Sequence, residues 1–514
     1  MKRTVLLSAL LLGSQAFAGE FLVKYTNTNG FQAVQNMGTM KAVGMQVMDH
    51  NATASLIKVD IAKSKEAQTL ATLLSTPGVQ YVVPNFKLKA YSAPVDTATL
   101  KSQWAIAKVQ AEKAWQRAGN RGNKNVIVAV IDTGADYKHE SLAPNMIPGY
   151  NFKDNNADPM DKTSYQNPGH GTHCSGIVGA TGLIDGGTIG MAPGISIMPL
   201  RFLDENGSGD LNDGIKAIDY AIEKGVQVIS ASWGATVPRA TAQPLLEAVK
   251  RADDKGIIFV AAAANDGKNN DSTEVYPANN GYPNSITVAA SNSSDSKPSW
   301  SNYGTAMVHL SSPGDGIIST LPKNKYGELS GTSMATPLVS GLVAFLKSQD
   351  SSLTGAQIRA ILQTTGTKVS IQTACNCRVD AFNAVDAVLT KKMIVVPAAA
   401  SIGAKDTLNL SVLNGKSPFK YVSSNTSTAT VSDGGVVTAV ANGKTSITVT
   451  DADGKTASTL DINVGKSGSS QPQPPGGGGD DPAQPPGDGS CPIGDPSLCQ
   501  IICQIKPDLP FCKQ

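Results

Sequence analysis

Hydrophobic residues follow two different periods along this chain, and the switch between them marks its organisation. From about Gln103 to Leu389 they come in unbroken runs, at 126–131, 195–200, 226–230, 257–263 and 286–290. A strand that is apolar on both faces is buried on both faces, which is the habit of parallel sheets. Stretches with the 3.6-residue spacing of helices, at 211–223, 244–255 and 333–347, lie between or after those runs. The alternation predicts an α/β domain, a parallel sheet with helices on both faces. Functional residues in such folds gather where the strands end.

The flanks follow other patterns. Near the N terminus, short strand-like runs at 21–25, 55–60 and 79–83 surround a helical segment at 67–74, which predicts a small open α+β unit. After Lys392 the period becomes two, in runs at 407–412, 429–431, 436–440 and 446–450. Turn sequences Asn414-Gly415, Asp433-Gly434-Gly435 and Asn442-Gly443 separate them, so a β-sandwich is expected. Residues 466–490, rich in Pro, Gly, Gln and Asp, cannot bury enough apolar surface to fold and read as a linker. The chain begins with Lys2 and Arg3, an apolar run over 5–12 and the small-x-small Ala16-Phe17-Ala18, an export signal cut after Ala18. That run is well short of the roughly 20 residues of a spanning helix, and no later segment is long enough, so a secreted protein without a membrane span is expected.

Composition narrows the partners. Lys and Arg total 43 against 41 Asp and Glu, with no basic block, so charge gives no reason to expect nucleic acid. Seven cysteines are unevenly placed: Cys174 alone, Cys375 near Cys377, and Cys491, Cys499, Cys503 and Cys512 at the end. Export permits disulfides, the four tail cysteines allow three pairings, and the odd total leaves one thiol, for which Cys174 is the candidate.

Three short segments carry chemistry: Asp132-Thr133-Gly134, His170-Gly171-Thr172-His173 and Gly331-Thr332-Ser333-Met334-Ala335-Thr336-Pro337. A Ser hydroxyl needs an adjacent base, and that base needs a partner to fix its tautomer. Asp132 follows a buried strand, where a sheet can hold a carboxylate still. His170 and Ser333 each open a helix, and Pro337 is expected in the first turn of the second one, where a missing N–H costs little.

These segments resemble the three signatures of the subtilases, and the resemblance covers about residues 20–390. It implies a subtilisin-like serine endopeptidase in which Ser333 attacks the peptide carbonyl, His170 is the general base and Asp132 orients it. Asn265 matches the family's side-chain donor to the oxyanion. Ser232-Trp233-Gly234 and Gly207-Ser208-Gly209 match the segments that flank a bound peptide. The family usually has Gly where Ala264 stands, and Val275 also falls where Gly is frequent. We therefore expect a narrowed pocket favouring small or medium apolar side chains over Phe or Tyr. His139 and His173 read as supporting residues.

The N-terminal unit, notably 77–85, resembles the subtilase propeptide, which implies an intramolecular inhibitor cut away near Tyr91. The C-terminal strands resemble a bacterial immunoglobulin-like domain, notably at 421–425 and 435–439. The expected plan is signal 1–18, propeptide 19–91, peptidase 92–391, immunoglobulin-like 392–465, linker 466–490 and Cys-rich tail 491–514. The partners implied are protein or peptide substrates and the chain's own propeptide. No cofactor is needed for the chemistry. Structural calcium is implied by the resemblance alone, with Asp154, Asp158 and Asp161 in one acidic loop and Asp185 in another. The alternative is a surface adhesion protein whose C-terminal part carries the main role.

Overall fold

The computed structural model describes residues 19–39, 44–91, 103–184, 187–465, 493 and 495–512. The export signal, the linker at 466–490, Asp185 and Cys491 lie outside the described residues. Two compact units result: one combines the chain up to Phe86 with the segment from Gln484 to the end, and the other is Lys87–Ala483.

In the first unit, β1 (Glu20–Tyr25), α1 (Thr28–Thr39), β2 (Met45–Asn51), β3 (Leu56–Ile61), α2 (Glu66–Leu74) and β4 (Val79–Pro84) follow one another. The strands form a sheet in the order β2-β3-β1-β4, with antiparallel neighbours. Inward-facing Phe21, Val23, Ile57, Val59 and Val82 meet Leu70 and Leu73 of α2 in one core. That core also contains Ile493, Cys499, Ile502 and Leu509 of the tail, whose helix Pro496–Ile505 packs against α2. Cys503 and Cys512 are disulfide-bonded, and Cys499 is also in a disulfide. The apolar residues of the Cys-rich tail thus share the core of the N-terminal unit.

The second unit opens with β5 (Lys87–Ala90), followed by α3 (Trp104–Lys108) and α4 (Ala111–Ala118). A nine-stranded sheet comes next. Its members, in chain order, are β6 (Ile127–Asp132), β7 (Tyr150–Asn151), β8 (Ser196–Arg201), β10 (Val228–Ala231), β12 (Ile258–Ala262), β14 (Ser285–Ser291), β15 (Leu310–Pro313), β18 (Thr367–Lys368) and β19 (Cys377–Arg378). They are ordered β18-β19-β15-β14-β12-β10-β6-β8-β7, parallel throughout except that β18 runs against β19. The helices are α5 (His170–Gly179), α6 (Leu211–Glu223), α7 (Gln243–Asp254), α8 (Thr332–Gln349), α9 (Gly355–Thr365) and α10 (Ala381–Leu389). Beside the main sheet stand β9 (Ser208–Asp210), β11 (Trp233–Thr236) and β13 (Val275–Tyr276), and a hairpin of β16 (Ile317–Leu321) and β17 (Lys325–Leu329).

The five apolar runs fall in β6, β8, β10, β12 and β14, within about two residues of their expected bounds. Helix α8 is buried from Thr332 to Leu346 and lies against β10, β12, β14 and β15, so it is the central post of the core. Cys375 and Cys377 are joined in a disulfide, and Cys174 is free.

From Ile394 to Gly465 short strands form small sheets around a second core that includes Val395, Val437, Ile447 and Val449. The strand Ile394–Val396 packs on α9, with Ile394 and Val396 belonging to the peptidase-side core. The run expected at 407–412 is broken into Thr407–Asn409 and Ser411–Leu413, which pair with different partners.

Because Phe345 on α8 is fully buried, Phe345→Ala should cost about 3–5 kcal/mol of stability. The check is the urea midpoint of the second unit's transition, compared in a Ser333→Ala background that cannot digest itself.

Candidate active site

The site forms where β6 ends and α5 and α8 begin. Asp132, the last residue of β6, accepts a hydrogen bond at Oδ1 from the backbone N–H of Thr133, 2.7 Å away. The same oxygen is 2.7 Å from His170 Nδ1. Gly134 turns the chain away with φ +101°, and a Cβ there would run into the carbonyl of Pro159. Gly171 has no room for a side chain either, because the Gly134 carbonyl lies against it. The start of α5 is tied down by Asn167, whose Oδ1 accepts from the N–H groups of Gly169 (3.0 Å) and His170 (2.7 Å). It is also held by Asp161, which accepts from Thr172 N at 2.9 Å and Thr172 Oγ1 at 2.7 Å. The His170 ring is thereby set against the carboxylate by its own backbone.

Asp132, His170 and Ser333 are all buried. Burial alone would push the His170 pKa down, but the Asp132 carboxylate beside it outweighs this, and the net shift is well above the ordinary value. Cys174 lies one turn further along α5, with Sγ 3.9 Å from His170 Nδ1, and burial pushes its thiol up. It is therefore a neutral thiol at neutral pH. Burial also raises the Asp161 carboxyl, to about 7, against the lowering effect of its bonds to Thr172.

Ser333 is the second residue of α8, and Pro337 lies inside that helix. Pro337 is thus past the first turn, where the sequence reading had placed it. Its missing N–H would have served the carbonyl four residues back, that of Ser333. The freed carbonyl accepts instead from Ser232 Oγ at 3.0 Å and Cys174 Sγ at 3.4 Å. Two strand and helix residues thus hold the backbone of Ser333 from outside its own helix. The Ser333 hydroxyl donates to the Ser232 carbonyl at 3.0 Å, and His170 Nε2 has no partner among the described residues. Asn265 Oδ1 accepts from Thr332 N (2.9 Å) and Oγ1 (2.8 Å), which fixes the amide so that Nδ2 points away from those donors.

The substrate-segment residues meet around β5. The segment pairs antiparallel with β11, Trp233 opposite Ala90 and Gly234 opposite Lys89, and with β9, Leu88 opposite Gly209 and Lys89 opposite Ser208. Ala90 N donates to Gly207 O at 3.0 Å, and Tyr91 N to Ser232 O at 3.1 Å. Only the backbone of Trp233 faces β5; its indole donates to the Ile131 carbonyl at 2.7 Å and packs edge-on with Phe202.

The Tyr91 ring packs against Ala264, Val275 and Ala278, and Gly234 leaves room for it, since a Cβ there would lie 2.6 Å from the Tyr91 hydroxyl. Burial raises that hydroxyl's pKa, with Asp266 adding to the effect. Ala264 and Val275, expected to narrow the pocket in favour of small or medium apolar side chains, both line it, and the Tyr91 ring packs against them. Ala264 holds φ +89°, a conformation that favours Gly and strains a residue with a side chain.

The supporting histidines are accounted for. His139 accepts from Ser141 N at Nδ1 and so presents Nε2–H to the Lys325 carbonyl, 3.0 Å away. His173 Nε2 donates to the Gly327 carbonyl at 3.1 Å, and burial lowers its pKa to about 3, so it stays neutral. The acidic-loop carboxylates are engaged by protein donors. Asp154 accepts from Lys162, Arg201 and Asn151, Asp158 from Tyr137 and Met160 N, and Asp161 from Thr172. All these bonds fall on one oxygen of each carboxylate, and Asp161 Oδ1 is buried without a partner among the described residues.

A parallel sheet with a buried carboxylate at the end of one strand and a buried imidazole and hydroxyl opening two helices, met in the chain order Asp, His, Ser, is the arrangement of the subtilisin-like serine endopeptidases. Residues 123–381 match the subtilase family and residues 390–461 the bacterial Ig-like domain (group 2). The chain is 38% identical over 353 residues to a thermophilic serine proteinase of Bacillus sp. (strain AK1), covering 68% of this chain and 83% of that protein. It is 40% identical over 277 residues to thermitase of Thermoactinomyces vulgaris, covering 54% and 92%. To the major intracellular serine protease of Bacillus subtilis (strain 168) it is 40% identical over 250 residues, covering 48% and 75%. This chain belongs to the subtilase family.

The neutral imidazole is the form that can accept a proton. Activity should therefore appear as pH climbs through the raised His170 pKa and vanish below it, which puts the acid limb of kcat/KM above the ordinary His value of about 6.5. Asp132→Asn should lower kcat by about 10⁴, as loss of the orienting carboxylate does in a Ser-His-Asp enzyme. Ala264→Gly should relieve the positive φ and widen the pocket. The readout is kcat/KM on matched peptides, with selectivity for Tyr over Ala before the scissile bond rising about tenfold.

Proposed function

We propose that this chain is an exported zymogen that cuts itself after Tyr91 and then hydrolyses protein substrates through an acyl-enzyme on Ser333. The observation that carries the reading is the position of Lys87–Tyr91, paired on both sides with β9 and β11 and ending with its ring in the apolar pocket. A peptide substrate binds a sheet edge in the same manner: main-chain bonds supply affinity and the pocket supplies preference.

In the reaction, the Ser333 hydroxyl leaves the Ser232 carbonyl and pairs with His170 Nε2, which takes its proton as Oγ attacks the carbonyl carbon of Tyr91. Asp132 holds the Nδ1–H tautomer and stabilises the imidazolium. Asn265 Nδ2 and the backbone N–H of Ser333 donate to the oxyanion, interactions worth about 3 kcal/mol each when they strengthen only in the transition state. His170 then protonates the leaving amine of Ser92. Water, deprotonated by the same ring, hydrolyses the acyl-enzyme.

Preference follows from the same contacts. The residue before the scissile bond is a Tyr in the chain's own segment, so aromatic residues are expected to be accepted there. Export rests on the leader-like first 18 residues, and no helix among the described residues is long and apolar enough to cross a membrane. No observation favours the adhesive reading of the C-terminal part.

The test is processing of the secreted protein. Wild type should yield an N terminus at Ser92, whereas Ser333→Ala should keep residues 19–91 attached and lose roughly six orders of magnitude in peptide hydrolysis. Equal hydrolysis by the two proteins, or a wild-type chain that stays joined through Tyr91, would contradict the reading.

A further inference from the structure

We infer that the C-terminal tail is a retaining clamp that keeps the propeptide bound after its own peptide bond has been cut. The inference rests on cleavage after Tyr91, and it follows from which chain segments share a core. The N-terminal unit is built from the chain up to Phe86 and from the segment after Gln484. Cleavage after Tyr91 places those two parts on different polypeptides, the first on the released fragment and the second on the mature enzyme.

The contact between them is a packed interior. Leu498, Cys499 and Ile502 share one face of the tail helix and Leu509 follows beyond its end; Cys499, Ile502 and Leu509 are buried. They join a core with Leu70 and Leu73 of α2. Ile501 and Ile505, on the other side of the tail helix, stay exposed, so the buried stripe is the face turned to the propeptide. Burying three or four such side chains is worth several kcal/mol before ordering costs.

Asp495 caps the tail helix through Ser497 N and Leu498 N. Lys63 is paired with Glu66, which chiefly favours its charged form, and the Asp495 charge adds a smaller effect in the same direction. The Cys503–Cys512 disulfide and the one at Cys499 brace the tail, so less ordering is needed on docking.

The consequence is bivalent retention. A cut propeptide could hold the mature chain through its Lys87–Tyr91 strand alone, but here it has a second grip that is covalently part of that chain. Each grip raises the effective concentration of the other, a gain of 10²–10⁴ in favourable geometries. Release of the inhibitor, and with it the onset of activity, then waits on loss of the tail contact rather than on the first cut.

The test uses the secreted full-length protein and two altered forms: Ile502→Asp, and a chain with a site-specific protease sequence inserted within 466–490. Size-exclusion chromatography with intact mass reads whether fragment 19–91 travels with the enzyme, and a peptide substrate reads the lag before full activity. Wild type should show an N terminus at Ser92 with fragment 19–91 co-eluting, and should lose it on dilution only at concentrations roughly a hundredfold lower than Ile502→Asp does. Ile502→Asp should still process at Ser92, which shows that its propeptide folded, but retain the fragment roughly a hundredfold more weakly and lose most of the lag. Cutting the inserted site should free fragment 19–91 and the tail together as one particle. Propeptide that leaves wild type and Ile502→Asp at the same concentration on dilution, or that stays on the enzyme after the linker is cut, would overturn the clamp while leaving processing intact. A chain never cut at Tyr91 would overturn both the clamp and the zymogen reading.

Discussion

The pairing of a buried carboxylate with a buried imidazole is the constraint around which the peptidase is organised. A charge taken out of water is costly unless a partner and a rigid frame compensate it. Here the frame comes from an interior strand of a parallel sheet and from a helix whose first turn is fastened by Asn167 and Asp161. Asp132 Oδ1 receives both Thr133 N and the His170 ring, so the carboxylate can neither rotate nor drift. A fixed tautomer follows, with the lone pair of Nε2 facing outward. The same geometry makes the ring more basic than an isolated His buried to the same extent.

The nucleophile is placed by a gap in a helix. Pro337 removes the N–H that would have tied the Ser333 carbonyl into the α8 ladder, and Ser232 and Cys174 take its place. Because β11 follows directly on Ser232, the group that braces Ser333 is continuous with the strand that pairs with Lys87–Ala90, the segment that the proposed function reads as bound like a substrate. Catalytic residue and substrate are therefore registered to the same backbone. Holding the reacting groups in a set geometry is itself a large part of catalysis.

Much of this was legible in the sequence, for physical reasons that differ from one element to another. The strands of the main sheet are apolar on both faces, so 126–131 and 286–290 stood out without any helical or two-residue period. The triad residues were legible because each sits in a turn that only Gly and small residues permit. Strand β5 was not, since Lys87-Leu88-Lys89-Ala90 is four residues long and acquires its ladder only from β9 and β11. Trp233 was placed correctly at the cleft, but a sequence cannot say that its ring turns inward to Phe202 while its backbone faces the peptide. The depth of the pocket was not legible either: Ala264 and Val275 add bulk at its wall, while Gly234 leaves room for the Tyr91 ring. The docking of the tail was invisible because an apolar stripe of four residues fits many partners.

The central claim is that Ser333, activated by His170, is the group that attacks a carbonyl in the pocket filled by Tyr91. It is tested most directly by titrating the matured enzyme with an N-acyl-tyrosine aryl phosphonate and mapping the adduct by peptide mass. The account predicts one adduct per chain, on Ser333 Oγ, with activity lost in proportion to labelling. An adduct on any other residue, or full activity in chains fully labelled at Ser333, would contradict it.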